Sequence, residues 1–348
     1  MFTPTKMAED ENNKKDRFLP ASPRTNNGPN PNFGDERQRY VTNKQGNNVS
    51  SNFGVGASIL LSAIIIAGAW VYTTGLKVPS ASPEASVIAN KGGTANYSVV
   101  EEEVLPAEGV ILPVRWGDLG AQMISAGVID RQKFEEVYAS RGGLSEGEKS
   151  LLYSEDNGDL MVTSDNAGYV LNLLWALGMG NKNEVLENGP MTDSRYGGAE
   201  NFASTGGWTL AMGDTMNHYS RHPFVVLTKE QQLLVERVSK NIYRPCCNNA
   251  TYFPDCNHGM AMLGLLELMA SQGVSEEEMY RVALQVNAYW FPENYMTIAK
   301  FLAARGVAWE SADPKEILGA NYSSGSGYRE ILSQTTPPAQ KNSGSCGV

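Results

Sequence analysis

The longest hydrophobic run of the chain is Val55 to Leu76 (VGASILLSAIIIAGAWVYTTGL), 22 residues without a charge. As a helix rising ~1.5 Å per residue it would reach ~33 Å, enough for a bilayer core of ~30 Å. Trp70 and Tyr72 lie near its C-terminal end, where amphipathic aromatics favour the headgroup zone. The pattern predicts one transmembrane anchor over 53–76. The tail before it is too long for an ordinary signal-peptide n-region, so a signal anchor is expected, while the small residues of Pro79-Ser-Ala-Ser-Pro leave cleavage open.

Downstream, apolar positions recur at helical intervals. Leu119, Met123, Ile124 and Val128 predict a helix within Trp116–Ile129, and Phe134 and Val137 another over Lys133–Ala139. Gly168–Leu177 (GYVLNLLWAL) is apolar on nearly every face, which predicts a central helix. Thr228 followed by Gln231 is a capping-box pattern opening a helix that carries Leu233, Leu234, Val235 and Val238. Gly259–Ser271 repeats Met260, Leu263, Leu266 and Met269. Ser275 with Glu278 opens a further helix that should stop before Pro292, and Glu293–Ala304 predicts the next. A short strand is expected at Leu160–Thr163 after the Asn157-Gly158 turn. Asn188–Thr209 is rich in Gly, Ser and Asn and reads as a long ordered loop. The fold class is therefore mainly α: one transmembrane helix, then a compact helical domain with long ordered loops.

Composition sets the boundaries. Residues 1–52 are Asn-, Gly-, Pro- and charge-rich, and too poor in aliphatic residues to offset ordering entropy. They predict a disordered tail. Residues 77–104 read as a linker, 105–333 as the helical domain, and 334–348 as a flexible tail holding Cys346. The chain carries a net charge of −10, yet residues 1–52 hold eight Lys/Arg against six Asp/Glu, so the remainder is near −12. The positive-inside rule then predicts a cytoplasmic N-terminus and an extracytoplasmic C-terminal domain at the cell membrane. An acidic body argues against nucleic acid as a partner; the membrane is the one partner the sequence indicates.

Candidate chemistry is concentrated. Cys246, Cys247, Cys256 and His258 gather three of the four cysteines and one of the three histidines into thirteen residues. A returning loop would make them a Cys3His set suited to zinc, and soft thiolates also select Cu(I). The spacing lacks the usual C-x2-C knuckle, and adjacent cysteines point apart in extended chain. Met260 and Met262 fall on different helix faces and read as core. Asp214-x3-His218-x3-His222 places three polar groups on one face if helical, so His218 and His222 are candidate helpers of the same metal site.

Two other readings of the thiols stay open. In an oxidising compartment, Cys246 or Cys247 would pair with Cys256 as a structural disulfide. Alternatively, Cys256 at a helix start would be an activated thiolate, with mobile Cys346 as its redox partner. No CxxCH or HExxH motif is present, and Ser204-Thr-Gly-Gly-Trp208 lacks the lysine of a phosphate loop. No catalytic residue is nominated.

The segments RPCCNNATYFPDCNHGMAMLGLLELMASQG, NLLWALGMGNKN, FASTGGWTLAMGD and AYWFPENYMTIAKFL resemble a family of bacterial single-pass membrane-anchored proteins of unassigned activity. The resemblance covers about 105–333, and Cys-Cys…Asp-Cys-x-His-Gly is its most specific part. It implies an anchored extracytoplasmic domain and no particular activity. The leading expectation, from residue chemistry, is binding of copper or zinc through the Cys/His loop.

Overall fold

The computed structural model describes residues 100–335. The expected anchor at 53–76, the tail 1–52, most of the linker and Cys346 lie outside the described residues. Among the described residues, no helix is long and apolar enough to cross a membrane.

After a helical stretch at 100–104, the described residues enter β1 (Val110–Gly117), which the sequence pattern did not separate from the helix after it. Its alternation is clear once seen: Leu112, Val114 and Trp116 point into the core, while Ile111, Pro113 and Arg115 face out. β1 pairs antiparallel with β2 (Asn157–Val162), and the register shifts between Ile111 and Arg115. Pro113 sits within that interval and has no N–H to give the ladder. Between the strands lie α1 (Leu119–Ala126), α2 (Arg131–Ala139) and α3 (Glu146–Tyr153). Asp130 caps α2, and a reciprocal Ser145/Glu148 box caps α3.

Two helices form the centre. α4 (Ala167–Gly180) is buried along almost its whole length, as its all-round apolar face requires. After the short α5 (Glu184–Asn188) and α6 (Lys229–Ser239), it meets α7 (Asn257–Ser271), buried from His258 to Ala270. The two cross at Gly178 and Gly264. A Cβ on Gly178 would lie 2.2 Å from the Met260 carbonyl, and one on Gly264 2.5 Å from the Leu174 carbonyl. Glycine at both positions is what lets the backbones touch. Met260 and Met262 are core residues, as expected.

The expected Thr228/Gln231 box opens α6, and Ser275 caps α8 (Glu276–Trp290). Pro292 starts α9 (Pro292–Ala303) at its first turn, and α10 (Pro314–Ile317), α11 (Ala320–Ser323) and α12 (Gly325–Ser333) complete the described chain. The predicted loop 188–209 holds three single 3-10 turns. Its Tyr196 and Phe202 pack against Phe253, tilted and edge-on respectively, and Ser204 N donates to the Asp255 carbonyl, so the loop buttresses the segment leading into α7.

A candidate thiol and imidazole metal centre

The loop from Arg244 to Cys256 joins α6 to α7 and is organised by one side chain. Arg244 is only 1% exposed. Its Nη1 donates to the Asn249 carbonyl at 2.8 Å, and its Nη2 to the Phe253 carbonyl at 3.2 Å and to Asp255 Oδ1 at 2.6 Å. Its Nε lies 3.1 Å from Cys256 Sγ. The planar fork thus folds the loop around itself. Asn249 Nδ2 donates to the second Asp255 oxygen at 2.8 Å, and Gly325 N donates to the Cys247 carbonyl at 2.6 Å. Gly259 makes room for the guanidinium: a Cβ there would lie 2.4 Å from Arg244 Nη2.

This fold brings sulfurs and imidazole together. Cys246 Sγ and Cys256 Sγ are 3.8 Å apart, and both lie within 4.8 Å of a ring nitrogen of His258. Cys247, Asp255 and Cys256 form a second group within the same 4.8 Å limit. The structure therefore holds Cys, His and Asp groups close enough to bind a metal ion. Cys246 and Cys247 fall in different groups that share Cys256, and the chain turns between them, with Cys247 N donating to the Arg244 carbonyl. His258 is buried, its ring centroid 4.4 Å from that of Phe291 and 5.9 Å from that of Trp290. Cys246, Cys247 and Cys256 stand as free thiols in this structure.

The electrostatics single out Cys256. It is the N-cap of α7, where unpaired N–H groups favour an anion. Contacts from the Cys246 and Cys247 thiols, then His258 and the Arg244 charge, hold its thiol well below the ordinary value against the penalty of burial. Contact with Cys247 and with Cys256 pushes the Cys246 thiol up, so the proton resides there. Burial raises Asp255, and Arg244 partly offsets this. Arg244 stays protonated despite burial because Cys256 and Asp255 face it.

His218 and His222 do not join this centre. The expected helix through 214–222 does not form: Asp214 caps a 3-10 turn at Thr215–Asn217, and Ser220 then adopts a left-handed φ of 49°. That turn is tied to the end of α4, and neither histidine belongs to a cluster with the cysteines. Arg244 was missed from sequence; its signal would have been Arg-Pro-Cys-Cys read together with Asp255 and Gly259. A hydrolase-like spacing, Gly143-Leu144-Ser145-Glu146-Gly147, is present in the chain, but Ser145 follows no strand and its hydroxyl caps α3. In Ser204–Trp208, Ser204, Thr205 and Trp208 are buried and Gly206 and Gly207 exposed, with Trp175 Nε1 donating to the Ser204 carbonyl.

Comparison with family models, curated proteins and solved structures finds no match to this chain. The functional reading therefore rests on these residues.

Proposed function

We propose that the chain is a membrane-anchored, extracytoplasmic protein that binds a thiophilic metal ion, copper or zinc, through Cys246, Cys256 and His258 with Cys247 as the further sulfur. The observation that carries this is the 3.8 Å separation of Cys246 Sγ and Cys256 Sγ with the His258 ring nitrogen beside them. Ligand–metal bonds of ~2.3 Å to sulfur give a tetrahedral edge of ~3.8 Å, so the two sulfurs need little movement to share one ion. The Arg244 N–H on Cys256 acts as an outer contact that orients a thiolate ligand. Three thiolates around a divalent ion leave one excess negative charge, which the Arg244 cation opposes. Zinc or copper would supply structural or cargo chemistry here; the chain's part is to hold the donors deprotonated and converged.

Metal analysis of the reduced full-length protein after reconstitution tests the reading. Stoichiometric zinc or copper, lost in Cys256→Ser, is expected. Absence of bound metal in the wild type, with no change on substitution, would overturn it.

A second reading is thiol–disulfide chemistry, which the 3.1 Å contact of Arg244 with Cys256 favours by itself. There Cys256 thiolate is the attacking sulfur and Cys246 its partner. A reversible Cys246–Cys256 bond in metal-free protein, with turnover of a disulfide substrate, would support that reading over the first.

A further inference from the structure

We propose that the turn 218–225 is an acid-released strap, held shut by the single hydrogen that His218 and His222 share and freed when both imidazoles are charged.

The contact between the rings has room for one hydrogen only. His218 Nδ1 lies 3.1 Å from His222 Nε2, and His218 Nε2 lies 3.0 Å from the Met212 carbonyl. A carbonyl only accepts, so neutral His218 carries its hydrogen on Nε2, and its bare Nδ1 accepts from His222 Nε2. A first added proton can enter at His222 Nδ1 and leave this bond intact. A second can enter only at His218 Nδ1, where it meets the His222 hydrogen head-on. Two like charges then add to the clash, and the contact cannot survive.

The bond closes a strained piece of backbone. Ser220, between the two histidines, has a φ of 49°, the one positive value at a non-glycine residue among the described residues. The turn is laid on the end of α4. Ser220 N donates to the Met179 carbonyl and His222 N to that of Gly180, both at 2.9 Å, while Lys182 N donates to the His222 carbonyl at 2.8 Å. Asn183 N donates to Ser220 Oγ at 3.0 Å, and Val225 N to Asn181 Oδ1 at 2.9 Å. Two hollows border the strap at Pro223. One, of about 640 Å³, is shared with His222 and Phe224; the other, of about 510 Å³, with Val225 and Val226. A freed strap therefore has open space to move into.

The surrounding charges set the direction. Burial lowers His222, and the neighbouring His218 and Arg221 lower it further. Asp118 and Glu155 share the larger hollow with it and do not outweigh these effects. From α5, Glu187 accepts from Ser220 Oγ at 3.3 Å and pairs with Lys182 at 3.7 Å. From α2, Lys133 donates to the Ala211 carbonyl, and Asp214 caps the turn ahead of His218. A histidine held below its ordinary ~6.5 takes up protons when released. The closed strap is thus fully stable above ~6.5 and loses stability as pH falls below that value.

Hydrogen exchange of the full-length protein across pH, resolved by residue, tests the strap. Expressed as protection factors, the Ser220, His222 and Lys182 amides are expected to lose protection by at least about tenfold per pH unit below ~6.5, because opening takes up at least one proton. Leu173, buried in the middle of α4, is expected to stay protected. In His222→Gln the side-chain amide can either donate to His218 Nδ1 or accept from it, so protection of the Ser220 and Lys182 amides is expected to stay flat. Three results overturn the proposal: flat protection in the wild type, a loss that Leu173 shares, or the same loss in His222→Gln. If His222→Gln does not fold, the wild-type His218 and His222 Cε1 proton resonances decide. They are expected to titrate in one step that coincides with the loss of protection. Separate, ordinary titrations with the three amides still protected overturn the strap.

Discussion

Arg244 Nε sits 3.1 Å from the Cys256 sulfur, and the same guanidinium closes on Asp255, so one buried cation holds two anions at the start of α7. Removing it leaves both anions without their partner. Arg244→Met is expected to lower stability by about 3–5 kcal/mol, the usual cost of breaking a buried pair from one side. Arg244→Lys keeps the charge but not the fork and should recover only part of it. Denaturant unfolding of the three proteins measures the difference.

The Cys246 and Cys247 thiols, followed by His258 and the Arg244 charge, hold Cys256 acidic. In metal-free protein its alkylation should already be fast at pH values well below the ~8.5 of an ordinary thiol. Arg244→Met should move the midpoint upward. Mass-resolved alkylation across pH measures it, and a Cys256 that reacts no earlier than a free cysteine would contradict the assignment.

Gly259 is the third member of this arrangement. Gly259→Ala places a methyl group 2.4 Å from Arg244 Nη2, so the guanidinium must leave the loop or the helix must shift. Such overpacking costs about 1–3 kcal/mol. Metal affinity should fall with it, because the loop that converges the sulfurs is hung on that guanidinium. Alanine elsewhere in α7 that has space, at Ser271, serves as the control.

This centre was legible in part. The Cys/His cluster and the N-cap position of Cys256 follow from residue type and from the apolar period beginning at Gly259. The capping box at Thr228 and the buried α4 follow from local patterns that no tertiary contact overrides. Arg244 was not legible, because a lone arginine in a loop has no period; only the folded chain shows what it touches. β1 was hidden by Pro113 and by Trp116, which also fits the start of a helical run. His218 and His222 fit a helix face by spacing, but Ser220 turns the chain the other way, and the pair meets as a turn.

A separate buried group reports on the helix core. Glu267 is fully buried on α7; Asn181 Nδ2 donates to its Oε2 at 2.9 Å, and its other oxygen has no partner. Burial raises its carboxyl well above the ordinary range. A raised acid contributes stability that is fully present below its unfolded value of ~4.3 and is lost as pH rises through the folded value. The melting temperature of the wild type should therefore fall from acid toward neutral pH relative to Glu267→Gln, which cannot ionise. Parallel pH profiles for the two proteins would show that Glu267 is not protonated in the fold.

The central claim is that three sulfurs and one imidazole share a single ion. X-ray absorption on full-length protein loaded with one equivalent of zinc tests it most directly. The account gives a sulfur shell near ~2.3 Å with a smaller nitrogen contribution near ~2.0 Å, the sulfur shell shrinking in Cys246→Ser and the nitrogen shell in His258→Gln. A first shell of nitrogen and oxygen alone, unchanged in both variants, would contradict it.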